Sequence, residues 1–315
     1  MSHSCIIVCL PPSVTPETIE EALGNVLAPF DENMSVEPYR DYEKGEAKDH
    51  FHAGGMKKSG KWDGELPLTW TALIASYNEA YGPEDPMFLE EETGRAYTMS
   101  TYNPKSRWDY WRIGGRWADR FVIAKDALDR DTIVAEKRAW ELKGEPKEIG
   151  RCDGGRKRAL DFEAQRLAAE NREASTWHQL QALVGHLPEA QTWSQFIKRI
   201  DAKEITVEEA RVLYRKQPRV AAADADKEFR GYIFGCVVED AARSLDDVRA
   251  EARNSTIPAF ALVDLDGNWH EKGRMGWFGC SSETEESTAE YRKRANEYLD
   301  TLDPEAWVIA VDVHI

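Results

Sequence analysis

Residues 108–117 of this 315-residue chain, Trp-Asp-Tyr-Trp-Arg-Ile-Gly-Gly-Arg-Trp, gather side chains that could hold a ligand. Gly114 and Gly115 can adopt φ > 0 and turn backbone N–H groups toward an anion. Arg112 and Arg116 can grip a carboxylate or phosphate in a fork, and Trp108 and Trp111 can stack on a planar ring. Asp109 adds a carboxylate. A second stretch, residues 273–279, repeats the theme of glycines around an arginine and aromatics and contributes Trp277. Trp108, Asp109, Trp111, Arg112, Gly114, Gly115, Arg116 and Trp277 are therefore expected to line a pocket for a nucleotide-like anion. The structural alternative makes the aromatics core, Gly-Gly a turn and Asp109 an arginine's partner.

A second constellation involves His3, His270, Asp312 and His314. In a strand over residues 307–315, alternation puts Asp312 and His314 on one face. If the first strand lies antiparallel beside it, His3 arrives at the same end of the sheet, and a hairpin carrying His270 could close over them. Such a set suits a divalent metal (zinc, manganese or iron) whose bound water attacks a phosphoester. Without a metal, a histidine pair can serve as general acid and base on the same substrate. The structural alternative is a group of hydrogen-bonded histidines that tie the chain ends together. His50 and His52 show no third ligand in sequence and read as solvated.

The elements that must position these groups follow from periodicity. Residues 4–10 read as a buried strand, and Thr15-Pro16 opens a helix whose stripe is Ile19, Leu23, Val26, Leu27 and Phe30. Residues 41–66 are polar and Gly-containing and predict a loop or lid. A short helix is expected over 70–81, strands over 96–102, 231–238 and 257–265, a hairpin turn at Asp266-Gly267, a helix over 285–302 and a last strand over 307–315. This order matches an α+β, ferredoxin-like antiparallel sheet, with doubly wound α/β as the alternative. Residues 124–218 are rich in Ala, Glu, Lys and Arg and predict a mainly helical insertion, leaving 1–123 and 219–315 as the core.

Composition limits the function classes. With 41 basic and 57 acidic side chains, the net charge is −16, which disfavours duplex nucleic-acid binding through a broad basic surface. Five cysteines without a Cys-x-x-Cys pair suggest neither a disulfide framework nor a thiolate zinc site. With no signal-like or membrane-spanning run, a cytoplasmic location is expected. Phosphate-loop, dinucleotide, His-Glu-x-x-His and Gly-x-Ser-x-Gly signatures are missing.

Met1-Ser2-His3, Phe30-Asp31-Glu32-Asn33, the 108–117 block, Trp269-His270-Glu271 with Gly273 and Met275-Gly276-Trp277, and the terminal Val311-Asp312-x-His314-Ile315 resemble a family of uncharacterised actinobacterial and actinobacteriophage proteins. The resemblance covers both ends and the block, about a third of the chain, and brings no established activity. It implies a phage or mobile-element setting. Two roles fit that setting: binding a small anionic ligand, with phosphoester hydrolysis as the reaction, or acting as an acidic interaction protein that inhibits a host defence or nucleic-acid-binding protein.

Overall fold

The computed structural model describes residues 3–65, 67–127, 132–133, 150–229, 237–274 and 281–314. Its strands are β1 (His3–Leu10), β2 (Tyr39–Tyr42), β3 (Met87–Glu90), β4 (Arg95–Ser100), β5 (Tyr110–Ile113), β6 (Phe121–Val122), β7 (Thr132–Ile133), β8 (Arg151–Cys152), β9 (Gly154–Arg156), β10 (Ala261–Val263), β11 (Trp269–Glu271) and β12 (Trp307–His314). Its helices are α1 (Ile19–Leu27), α2 (Phe51–Lys58), α3 (Trp70–Tyr81), α4 (Phe162–Val184), α5 (Trp193–Asp201), α6 (Val207–Lys216), α7 (Pro218–Ala225), α8 (Val237–Ala242), α9 (Leu245–Thr256) and α10 (Glu285–Thr301). The chain divides into two compact units, residues 1–26 with 110–315, and residues 27–109.

The larger unit is built on a sheet ordered β11-β10-β1-β12-β9-β7, with β5 also on β12. β1 and β12 are eight residues each, apolar but for His3 and Ser4 on β1 and Asp312 and His314 on β12. They pair antiparallel along their whole length, from His3 opposite His314 to Leu10 opposite Trp307. Two short strands share the other edge of β12, β9 at Trp307–Ile309 and β5 at Val311–His314. Between them Ala310 donates its N–H to Asp153 O and accepts from Gly114 N–H.

The fold is α+β, as expected, but the sheet is not antiparallel throughout: β10 runs parallel to β1, with Leu262 opposite Ile7. A parallel neighbour requires a crossover rather than a hairpin, and here the chain returns to β1 only after the helices that end with α9. Strand periodicity carries no information about that choice. A single parallel pair among antiparallel ones is not a doubly wound sheet either.

Alternation gives the sheet two apolar faces. On one, Cys5, Ile7, Cys9, Val308, Ala310 and Leu262 pack with Tyr291, Ala295 and Leu299 of α10 and with Phe121, Phe162 and Ile257. Tyr291, Ala295 and Leu299 recur at intervals of four, so one stripe of α10 faces the sheet. Each large apolar side chain buried there contributes about 1.5–3 kcal/mol. On the opposite face Ile6, Val8, Ile309, Val311 and Val313 are fully buried. There α1 comes close enough that a Cβ on Gly24 would sit 3.9 Å from the Trp111 ring.

Of the helical segment expected over 124–218, the described residues hold α4, α5 and α6, and α7 begins at its end, with Pro218; the compact units divide after residues 26 and 109. Leu180 and Val184 of α4 share a core with Ala223 of α7 and Val237 and Ala241 of α8. The helical run therefore continues past its expected end, and Val237 and Val238, expected in a strand, open α8. Residues 231–236 lie outside the described residues.

Residues 27–109 form a unit of their own, with a sheet ordered β2-β4-β3 and a core of Ala47, Ala53, Met56, Leu73, Tyr77, Met87 and Ala96. Residues 41–66, expected as a loop, contain the end of β2 and the whole of α2. His50 is the N-cap of α2, its Nδ1 accepting the N–H of His52 at 3.2 Å. Ala47, Ala53 and Met56 supply the few apolar positions that seat this otherwise polar segment. Among the described residues, no helix is long and apolar enough to cross a membrane.

Candidate functional site

The strand registers bring six chemically capable side chains to one end of one sheet face. On β12, Asp312 and His314 alternate inward-facing with Val311 and Val313. Cys5 and His3 lie opposite them on β1, and Arg112 and Tyr110 opposite them on β5. Directly opposed residues stand roughly 4.5–5.5 Å apart. The His3 and His314 rings meet edge to face with centroids 4.9 Å apart.

Asp312 organises this group. Its Oδ1 lies 2.9 Å from His3 Nδ1, and its Oδ2 accepts the backbone N–H of Arg116 at 3.0 Å. The residue is buried, while the His3 side chain keeps 20% of its surface exposed. A carboxylate only accepts, so Nδ1 of His3 carries the proton in this contact, and in the neutral ring Nε2 is then the acceptor. This is the arrangement that fixes the tautomer and orientation of a general base.

The Gly114-Gly115 step shapes the carboxylate's surroundings. Both glycines have positive φ, +64° and +58°. A Cβ on Gly115 would lie 2.2 Å from Asp312 Cβ, and one on Gly114 would lie 2.4 Å from Asp153 Oδ2. The turn is thus wedged between two buried carboxylates, and Asp153 Oδ1 accepts the Asp119 N–H at 2.7 Å. Of the two glycines expected to aim backbone donors at a ligand, Gly114 gives its N–H to Ala310 O, and the Arg116 N–H that follows the step goes to Asp312. The ligand-facing potential of the block lies in side chains instead. Among the described residues the Arg112 and Arg116 guanidiniums make no hydrogen bond or ion pair, and Arg116 is exposed.

Cys5 stands beside Asp312 but is not poised as a nucleophile. Burial pushes its thiol up to about 11, Asp312 and Asp153 add to the shift, and Arg120 opposes it. Tyr110, opposite His314, is more than half exposed. The alternation Tyr110-x-Arg112 could have announced that both side chains join the site. Asp153, among glycines, had no such signal.

Other expected members go elsewhere. Trp108 is buried in the 27–109 unit, where its Nε1 donates to Leu27 O at 3.2 Å and its backbone bridges Asp31. The carbonyl of Asp109 accepts from Asn33 Nδ2 at 3.4 Å. Trp111 points to the face opposite Asp312, against Gly24. Trp108 is thus a core side chain, and Trp111 is half-buried on the face away from Asp312. Trp277 lies outside the described residues.

His270 does not converge with His3. His270 lies opposite Leu262 and Leu262 opposite Ile7, so two strand spacings across the sheet and four residues along β1 leave it roughly 16 Å from His3. Its Nε2 instead pairs with Asp264 Oδ2 at 2.7 Å. Burial pushes the Asp264 carboxyl up, but hydrogen bonds from His270 and Asn268 outweigh it and hold the group below its ordinary value.

The metal expectation fits these residues poorly. Both oxygens of Asp312 are engaged, and His270 is absent from the cluster. Among the described residues, no three His, Cys, Asp or Glu side chains gather as metal ligands. A concavity of about 1120 Å³ along α9 and α10 shares no residue with the cluster. Its charges largely satisfy one another, as in Arg243 and Arg292 with Glu251. Comparison with protein families, curated proteins and solved structures finds no match to this chain.

Proposed function

We propose that the His3–Asp312–His314 end of the sheet binds a small, nucleotide-like anion and acts on it by acid–base chemistry, phosphoester hydrolysis being the reaction that suits its groups. The observation that carries this reading is the Asp312-oriented His3 ring standing 4.9 Å from a second imidazole. His3 Nε2 takes a proton from water, whose oxygen attacks phosphorus. The P–O bond to the leaving group breaks, and protonated His314 returns a proton to the departing oxygen. Arg112, in register with Asp312, neutralises charge on the phosphoryl oxygens. The phage or mobile-element setting rests on the sequence resemblance and belongs to the same proposal.

The test is calorimetric titration of a nucleotide panel, followed by turnover assays on any ligand bound. Arg112→Ala should weaken binding about tenfold or more. His3→Ala and His314→Ala should each lower kcat by roughly 10²–10⁴ while leaving binding largely intact. The competing role, inhibition of a host protein by the acidic surface, uses none of these side chains. No ligand in the panel, together with undiminished inhibition of a basic partner by a protein carrying His3→Ala, Arg112→Ala and His314→Ala together, would replace the enzymatic reading.

A further inference from the structure

We infer that the outward face of the β2-β4-β3 sheet is a stacking platform for a short single-stranded nucleic acid. The site lies wholly within residues 27–109 and does not depend on the acid–base reading above.

The register defines the platform. Tyr42 lies opposite Tyr97, and Tyr97 opposite Phe88, so one aromatic ring from each strand forms a row across the sheet. Ring centroids are 5.6 Å apart for Tyr42 and Tyr97 and 5.5 Å for Tyr97 and Phe88, the latter pair stacked. The opposite face carries Met87 and Ala96 into the core with Leu73 and Tyr77. The row therefore faces outward. Phe88 is 40% exposed, as is 48% of Met99 on the same face.

Two guanidiniums lie over this row. Arg95 Cζ sits 4.2 Å from the Tyr42 centroid and Arg40 Cζ 5.0 Å from that of Tyr97. Among the described residues, the Arg95 guanidinium makes no hydrogen bond or ion pair. Arg40 spends one donor on Glu90 and is half exposed. Glu90 is itself absorbed by the ladder, accepting from Tyr42 Oη and Thr93 Oγ1 at 2.6 Å. In a chain of net charge −16, two arginines placed over aromatic rings with donors to spare favour a ligand that is both planar and anionic.

A single strand meets those demands. Unstacked bases offer faces to rings and to guanidinium planes, while phosphates take the remaining donors. The row spans roughly 10 Å, enough for about two or three bases. A duplex hides its base faces, and the protein's overall acidity opposes its dense charge. A peptide of acidic residues could use the arginines but not the rings, which sets the discriminating measurement.

That measurement is fluorescence anisotropy of the full-length protein with labelled DNA and RNA octamers at several salt concentrations. Single strands should bind, the matching duplex should not, and log affinity should fall against log salt with a slope near −1.4, as about 0.7 per phosphate contact predicts for two arginines. Phe88→Ala should weaken binding roughly 5- to 150-fold, and Arg95→Gln should lower the slope by about 0.7. Phe88 lies on the outward face and outside the Leu73–Met87 core, so the variant should keep its fold, checked by a melting curve close to the parent's. No binding at low salt, equal binding of duplex, or an acidic peptide bound as tightly by Phe88→Ala as by the parent would each overturn the proposal.

Discussion

Asp312 joins the two ends of the chain to its middle, holding His3 Nδ1 at 2.9 Å through one oxygen and the Arg116 N–H at 3.0 Å through the other. Asp312→Asn keeps the shape but must offer an acceptor to Arg116, leaving its NH₂ toward His3. The ring is then driven to the tautomer whose Nε2 is protonated, and the base is lost. Turnover should drop by about 10² or more with little change in melting temperature. Asp312→Ala removes the acceptor from both donors and should destabilise by about 1–3 kcal/mol as well. Full turnover in Asp312→Asn would show that His3 needs no orienting carboxylate.

The Gly115 position should tolerate no side chain. Its positive φ alone costs an alanine about 1–2 kcal/mol, and the added Cβ would stand 2.2 Å from Asp312 Cβ, an atom fixed in the central strand. Gly115→Ala should therefore lose more than about 3 kcal/mol in urea denaturation. Gly267 also has positive φ, but its added Cβ meets Val26 only at 3.6 Å, an ordinary contact. Gly267→Ala should lose only about 1–2 kcal/mol. Equal losses for the two would mean that the approach of the turn to Asp312 is not what requires glycine.

These contacts also show what the sequence could and could not convey. Alternation along a strand is local, so the shared facing of Asp312 and His314, and of His3 with Cys5, was readable from residue types alone. The β1–β12 pairing was suggested by element order and is observed in full register. The neighbour of β1 on its other side was not readable, because parallel and antiparallel partners present the same alternation; His270 was misplaced for that reason. Trp108 and Trp111 sit three residues apart, yet one belongs to each compact unit. Spacing within a block says nothing of a boundary inside it.

A pH-dependent weakness is expected in the 27–109 unit. Burial chiefly, and His52 secondarily, hold the His50 imidazole below its ordinary value of 6.5. The unfolded chain therefore binds the proton more readily than the folded unit, so this stability is complete above about pH 6.5 and is lost as pH falls below it. Glu43, 3.7 Å from His50 Nε2, is raised above its ordinary 4.5 by burial first and by Asp41 and Asp85. The window that tests this opens just below pH 6.5, where the unfolded chain begins to bind the proton. Denaturation monitored through this unit should weaken across that window, and His50→Gln should flatten the dependence. An equally steep slope in His50→Gln would assign it to another group.

The hairpin at His270 provides a test of which histidines belong to the reactive cluster. Asp264 Oδ1 accepts the N–H groups of Asp266 and Asn268 at 3.0 and 2.8 Å, and Oδ2 accepts from Asn268 Nδ2 and His270 Nε2. This carboxylate fixes the turn between β10 and β11, and its hydrogen bonds depress its pKa despite burial. The associated stability is present above the ordinary value of 3.8 and is lost as pH falls through the lower folded value. Asp264→Ala strips several donors of their acceptor and should cost about 1–3 kcal/mol. His270 is about half exposed, so His270→Ala should cost only about 0.5 kcal/mol. Its kcat should stay within about twofold of the parent, against the roughly 10²-fold or greater loss expected for His3→Ala. A folded His270→Ala protein with kcat reduced as far as His3→Ala would place His270 in the reaction and require the β10–β11 hairpin to reach the β1–β12 end of the sheet.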